Sequence, residues 1–237
     1  MSELIQSVSA AATVTPSVVT EDLGKEFEMG ICLNQGIAFD GKYKYSMANA
    51  EAISTRLGSF SEVFPHKLKH TAKGGNRYDF VGETDETIKL SAKTTKKDGK
   101  VSPQVIGQPS KKKFCNTFGL NETSSNEEIK SFIESNVSTM LSQYFEYTFD
   151  CPILYYNQHK NKLQFVTVLE PIDWSNQVIG FTHIKKNKVW NESTSISIGK
   201  ISIGEFQVHN HRDCIKFRWN FEKVLDLFSS SFQIINL

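Results

Sequence analysis

Apolar residues recur at helical spacing in two long stretches of the chain. In TEDLGKEFEMGICLNQG, residues 20–36, Leu23, Phe27 and Ile31 fall one turn apart, acidic residues occupy the first turn and Gly36 closes the segment, which predicts a helix. The second stretch follows a polar linker at 121–126. Ser125 and Glu128 have the spacing of a capping box, and Ile129, Phe132, Ile133, Val137, Met140, Leu141, Tyr144 and Phe145 line one face. This is the strongest amphipathic pattern in the chain, suited to packing on a sheet or to pairing with a second copy. A shorter helix is expected at 47–57, closed by Gly58, after an aromatic, glycine-containing turn at 39–45.

The pattern changes beyond Cys151. Short β-rich runs at 153–156, 163–169, 178–184, 194–203, 205–209 and 214–219 are separated by Asn, Gly, Asp and Lys, and a closing helix is expected at 221–228. Between the two halves, residues 87–95 alternate like a strand and follow an acidic, Gly-containing turn at 82–87, so Arg77 to Thr95 reads as a hairpin. Residues 1–18 are small and polar and read as a flexible arm. No internal repeat is present.

Composition narrows the class. The 237 residues suffice for one domain, and the formal net charge is only +1, which by itself argues against a strong polyanion binder. The charge is unevenly placed, however: residues 93–113 hold seven lysines and one aspartate. Gly99, Pro103, Gly107 and Pro109 predict an extended, repeatedly turning loop there. Cys32, Cys115, Cys151 and Cys214 lie far apart without a CxxC pair, which argues against structural zinc and for reduced thiols in a cytoplasmic protein. The N-terminus lacks the basic residues of a signal peptide, and no apolar run is long enough to span a membrane.

The candidate chemistry sits in the hairpin. Side chains at i and i+2 on a strand share a face, so Ser91 and Lys93 look the same way, and Asp79 on the neighbouring segment can lie beside the Ala92 backbone carbonyl. One carboxylate and one carbonyl are enough protein oxygen to hold Mg²⁺, which keeps several waters. A lysine next to it can position a water and offset charge on a phosphorane. His66 and His70 have i, i+4 spacing, but Pro65, Gly74 and Gly75 favour a loop rather than a helical metal pair. His209-Asn210-His211 is too compact for an HNH nuclease unit. It reads instead as a hairpin tip, where Asn210 and Arg212 could address adenine and guanine and Lys216 and Arg218 could meet phosphate.

Asp79, an eleven-residue spacer and Ser91-Ala92-Lys93 resemble the motif of the PD-(D/E)XK nucleases, and within them the Type II restriction endonucleases. Tyr78 stands where the family usually has Pro, and Ser91 where it has an acidic residue; a Ser-x-Lys variant with the carboxylate supplied from elsewhere is similar. GKEFEMGI resembles the family's first helix, and the tract from Lys93 to Phe114 and the segment GEFQVHNHRDCIKFRWNF resemble parts of restriction-type enzymes. The resemblance implies an α/β fold with a restriction-endonuclease-like core, a mixed β-sheet flanked by helices, and a β-rich C-terminal elaboration. One nuclease domain would cover 19–237, with the core at about 19–170 and the elaboration at about 171–220.

It also implies roles. Asp79 would bind Mg²⁺, Ala92 would assist through its carbonyl, Lys93 would position the attacking water, and Ser91 would shape the site. Glu28 would supply the second carboxylate through water, with Glu26, Glu51 and Glu205 as rivals. Lys96, Lys97, Lys100, Gln104, Gln108, Lys111, Lys112 and Lys113, with Asn210, Arg212, Lys216 and Arg218, would contact double-stranded DNA. The expected activity is sequence-specific cleavage by direct in-line attack, in a homodimer paired functionally with a cognate DNA methyltransferase. The competing expectations are a catalytically degenerate DNA-binding protein of the same fold and a protein-interaction α/β domain.

Overall fold

The computed structural model describes residues 20–71, 76–97 and 99–237, so the expected arm at 1–18 lies outside the described residues. Helix α1 (Thr20–Gln35) forms where its apolar stripe required: Leu23, Phe27 and Ile31 are all buried, and Gly36, at φ 64°, ends it. Helix α2 (Met47–Arg56) starts from Ser46, whose hydroxyl accepts from the Asn49 amide, and buries Ala50 and Ile53 against α1. The two helices approach closely at Gly30, where an added Cβ would lie 2.6 Å from Ile53 Cγ2. A single turn, α3 (Phe60–Val63), follows.

Six strands form the first sheet, in the order β1-β2-β3-β5-β6-β11. They are β1 (Leu68–His70), β2 (Phe80–Gly82), β3 (Lys89–Thr95), β5 (Ile153–Asn157), β6 (Lys162–Val168) and β11 (Phe232–Asn236). All neighbours are antiparallel except β3 and β5, where Ser91 pairs with Ile153 and Thr95 with Asn157. A parallel pair requires a long crossover, and the chain supplies it through β4 (Lys100–Val101), α4 (Lys111–Phe118) and α5 (Asn126–Phe149). Phe80, Leu90, Leu154 and Phe165 face α1 and α2, while Ile153, Tyr155, Val166 and Phe232 face α5. The result is a mixed α/β architecture, a mixed sheet flanked by helices on both faces, consistent with a restriction-endonuclease-like core.

The capping box at Ser125 and Glu128 starts α5, and the whole expected apolar face is buried apart from Phe132, which packs against the core while partly exposed. The helix bends at Asn136, whose side chain donates to the Phe132 carbonyl at 2.9 Å. Its other flank meets a second, antiparallel sheet, ordered β4-β10-β9-β8-β7. That sheet adds β7 (Ile179–Phe181), β8 (Ser193–Ile198), β9 (Ile201–Val208) and β10 (Ile215–Asn220), with α6 (Thr182–Lys185) after β7 and α7 (Phe221–Leu227) after β10. The Trp219 indole donates to Thr148 Oγ1 at 2.9 Å, tying sheet to helix.

Several segments differ from expectation. Residues 68–70 form an edge strand rather than a loop, held by pairing to β2. The run 194–203 is broken by a turn at Gly199, φ 58°, so its end joins 205–208 in one strand, β9. Only 179–181 of the run 178–184 is extended, and α6 begins at Thr182. The lysine tract is not one loop. Val101 pairs with Trp219, and Lys111 to Lys113 begin α4, because Ser110 caps it, Phe114 and Cys115 bury its inner face and Gly119 closes it in the left-handed conformation. Strand β11 carries no counterpart in the sequence reading.

Candidate active site

The ladder between β2 and β3 ends at the pair Phe80 and Leu90, and the strands part immediately beyond it. Asp79 and Ser91 are the first residues past the ladder, and strand alternation turns both, with Lys93, to the α5 face. The Asp79 carboxylate fills the fork. Its Oδ2 accepts from Ser91 Oγ at 3.0 Å and from the Ala92 amide at 2.7 Å, with Lys93 Nζ at 3.9 Å. The main chain of Asp79 is held too, its carbonyl accepting from Thr71 N at 2.9 Å. Oδ1 takes no hydrogen bond from the described residues and is open. Lys93 and Asp79 keep about a fifth of their side-chain surface exposed (17% and 21%), so a ligand can reach both.

Ala92 was expected to bring its carbonyl to this site, and what meets Asp79 is its N–H. In an extended strand the N–H and C=O of one residue point to the same edge, so the carbonyl faces the same fork, beyond the end of the β2 ladder.

Gln104 has moved furthest from expectation. Expected among the DNA-facing side chains, it is 8% exposed and donates from Nε2 to Ser91 Oγ at 2.7 Å. Its N–H bonds the Tyr147 carbonyl at 3.3 Å, and its own carbonyl accepts from Ile106 N at 2.6 Å across Val105, which sits at φ 62°. A γ-turn with positive φ at a β-branched residue is strained; here it exposes Val105 and buries its two neighbours. Among the described residues the amide oxygen of Gln104 is buried without a partner.

Sequence reasoning also missed the wall beside Asp79. Asp150, at the end of α5, accepts from the Tyr78 hydroxyl and pairs with Arg77 at 3.0 Å, and Arg77 lies 4.1 Å above the Tyr147 ring. Burial first, then the bond to Asp150, pushes the Tyr78 phenol up to about 12. Cys151, next in the chain, is likewise raised to about 12, by burial and then by Asp150, so it is an inert thiol. Only the position of Asp150 after a long amphipathic helix could have pointed to it.

The four carboxylates considered as the displaced acid are not brought to Asp79. Glu28 lies on the α1 face of the sheet, opposite to Ser91 and Lys93, and is held by Lys25 at 2.7 Å and His70 Nε2 at 2.9 Å. His70 Nδ1 accepts from the Asp40 amide at 2.8 Å, which leaves the proton on Nε2, directed at Glu28. Glu26 is buried against Asn49 at 3.0 Å, Glu51 is exposed on α2, and Glu205 is bound by Lys100 and Arg218 in the second sheet. Among the described residues no three His, Cys, Asp or Glu side chains converge. The donor set nonetheless fits Mg²⁺: the open Asp79 oxygen, a carbonyl edge and an orphaned amide oxygen are hard ligands, and Mg²⁺ retains water for its other positions.

The residues expected at DNA fall into two groups. Lys111, Asn210 and Arg212 share an open depression with Asn126, Glu127, His209, His211 and Asp213. The Lys111 amide donates to Asp213 Oδ1 at 2.8 Å, so the start of α4 and the tip between β9 and β10 are joined. Asn126 meets Asn210 Oδ1 at 3.3 Å. Lys113 and Arg212 are exposed, Lys216 is half-buried on β10, and Lys96 and Lys97 follow β3 directly. In the second group the side chains are engaged: Lys100 and Arg218 with Glu205, Lys112 with Glu122 at 2.9 Å, and Gln108 with Ser102 at 3.2 Å.

This chain is similar to a restriction enzyme. It is 45% identical over 218 residues to the Type II restriction enzyme CviAII of Paramecium bursaria Chlorella virus 1; the match covers 92% of this chain and 63% of that protein's length. No family model and no solved structure matches the chain. No described helix is long and apolar enough to cross a membrane.

Proposed function

We propose that this chain is a sequence-specific, Mg²⁺-dependent endodeoxyribonuclease of the PD-(D/E)XK type, a Type II restriction enzyme that hydrolyses phosphodiester bonds of double-stranded DNA. The observation that carries this reading is the Asp79 carboxylate at the β2–β3 fork, fixed by Ser91 and the Ala92 amide with Lys93 beside it. Its likeness to CviAII supports it. Asp79 and the Ala92 carbonyl would hold the cation. Mg²⁺, when bound, supplies Lewis-acid polarisation of the phosphoryl group and acidifies a water. Lys93, 3.9 Å from the Asp79 carboxylate, would orient an attacking water in line with the scissile bond and offset charge on the non-bridging oxygens. A bond forms between water oxygen and phosphorus as the bond to the leaving sugar oxygen breaks; the attacking water gives up a proton to solvent and the leaving oxygen takes one from solvent, so no net proton is consumed in that exchange. The nucleophile is water: the Ser91 and Tyr78 hydroxyls are held by the Asp79 and Asp150 carboxylates, which are weak bases for an alcohol or phenol, and burial pushes the Cys151 thiol up to about 12. Lys111, Lys113, Arg212 and Lys216 would approach the duplex. A cytoplasmic homodimer paired with a methyltransferase completes the proposal by analogy with such enzymes.

The test is digestion of unmethylated phage DNA with and without Mg²⁺, using wild type, Asp79→Ala and Lys93→Ala. Discrete, metal-dependent fragments from wild type alone, with each variant reduced at least about a hundredfold, are expected. Ser91 in place of an acid favours the alternative of a degenerate binder, and folded wild type that binds duplex but never cuts it would establish that reading instead.

A further inference from the structure

We propose that Gln104 is the second side-chain oxygen donor of the cation site, beside the Asp79 carboxylate and the Ala92 carbonyl, its neutral amide doing what an acidic side chain at position 91 would do; this rests on the nuclease reading above. Hydrogen-bond logic fixes the orientation. Asp79 Oδ2 is an acceptor, so the single Ser91 proton goes to it, and Ser91 Oγ must then accept its remaining bond. Only the NH₂ end of Gln104 can donate there, at 2.7 Å, which leaves Oε1 as the free end. That oxygen is buried with no partner among the described residues, in a residue 8% exposed. It belongs to the same hydrogen-bonded chain as the Asp79 carboxylate, whose Oδ1 is also open.

The backbone is shaped to keep it there. The turn across Val105, at φ 62°, reverses the chain just after Gln104, while the Gln104 amide is anchored on the Tyr147 carbonyl of α5. Strain held at a single position beside a buried orphan acceptor is characteristic of a site built for a ligand rather than for stability. An amide oxygen is a hard, neutral donor, suited to Mg²⁺ or Mn²⁺ but weaker than a carboxylate. The chemistry explains how a site with one carboxylate serves a divalent ion: Ser91 passes the fixed geometry of Gln104 to Asp79, and each contributes one oxygen.

The experiment measures Mn²⁺ binding to the full chain without DNA, by electron paramagnetic resonance of free Mn²⁺, alongside the Mg²⁺ dependence of cleavage. Gln104→Leu should weaken Mn²⁺ binding about 10- to 100-fold, and its cleavage should be restored at raised Mg²⁺. Gln104→Glu adds a negative oxygen and should bind Mn²⁺ about tenfold more tightly. Unchanged Mn²⁺ affinity in Gln104→Leu overturns the assignment while cleavage by wild type keeps the nuclease reading. If Gln104→Leu does not fold, Gln104→Glu decides, and affinity at or below that of wild type overturns it. Wild type that neither binds Mn²⁺ nor cuts DNA removes both.

Discussion

Glu28 is engaged by Lys25 and His70 on the face of the sheet away from Asp79. Burial, the largest influence on its carboxyl group, raises its pKa, but the hydrogen bonds from His70 and Lys25 outweigh burial and hold it below the ordinary 4.5. A carboxylate that the fold prefers ionised contributes stability that is complete above its unfolded value and is lost as pH falls through the lower folded one. Glu28→Gln should therefore lower stability at neutral pH and flatten the acid limb of the wild-type profile, read as urea midpoints between about pH 3 and 7. Parallel profiles would show that the ion pair is idle. The helix position of Glu28 was legible, but the face of the sheet it serves was not. Asp79, Ser91 and Lys93 were placed together by alternation alone, since the period-two rule acts within one hairpin. Gln104 looked like a surface residue among lysines, because nothing local announces a strained reversal at Val105.

Helices were read more fully than strands, for a physical reason. A helix repeats within a few residues, so α1, α2 and α5 carry their own buried stripes, and the capping box at Ser125 marks where α5 begins. The edge strands β1 and β11 are held by partners far away in the chain, Phe80–Gly82 and Gln164–Val168, and their few residues show no period of their own. Helix packing makes a further demand at Gly30, which the sequence leaves looking like a weak point in α1. There the absence of Cβ permits contact with Ile53 and with the Ala50 carbonyl, at 2.6 and 3.0 Å from where that atom would stand. Gly30→Ala should cost about 1–3 kcal/mol despite its better helix propensity, measured by urea unfolding. A stabilised Gly30→Ala protein would mean that α1 and α2 can separate freely.

At the scale of the molecule, α5 lies between two sheets, and the lysine tract threads from the end of β3 to the second sheet, back past Ser91 and on to α4. This path places Lys111 against the β9–β10 tip that carries Arg212. If that depression meets DNA, Arg212→Ala should weaken binding to the cognate duplex by about 1–3 kcal/mol and leave random duplex nearly unchanged. Lys111→Ala should weaken both equally and reduce the salt slope by about one. Fluorescence anisotropy with Asp79→Ala protein measures both; equal losses on the two duplexes from Arg212→Ala would make it a phosphate contact.

The sequence by itself determined helices α1, α2, α5 and α7, the central hairpin and the Asp79–Ser91–Lys93 grouping, because each follows from periods and caps that act over a few neighbouring residues. Only the tertiary structure decided which polar groups share a face of the sheet, which lysines are neutralised by Glu205 or Glu122, and that Gln104 stands behind Ser91. Those outcomes depend on pairings between distant segments, where burial and hydrogen-bond satisfaction override the local preference of each residue.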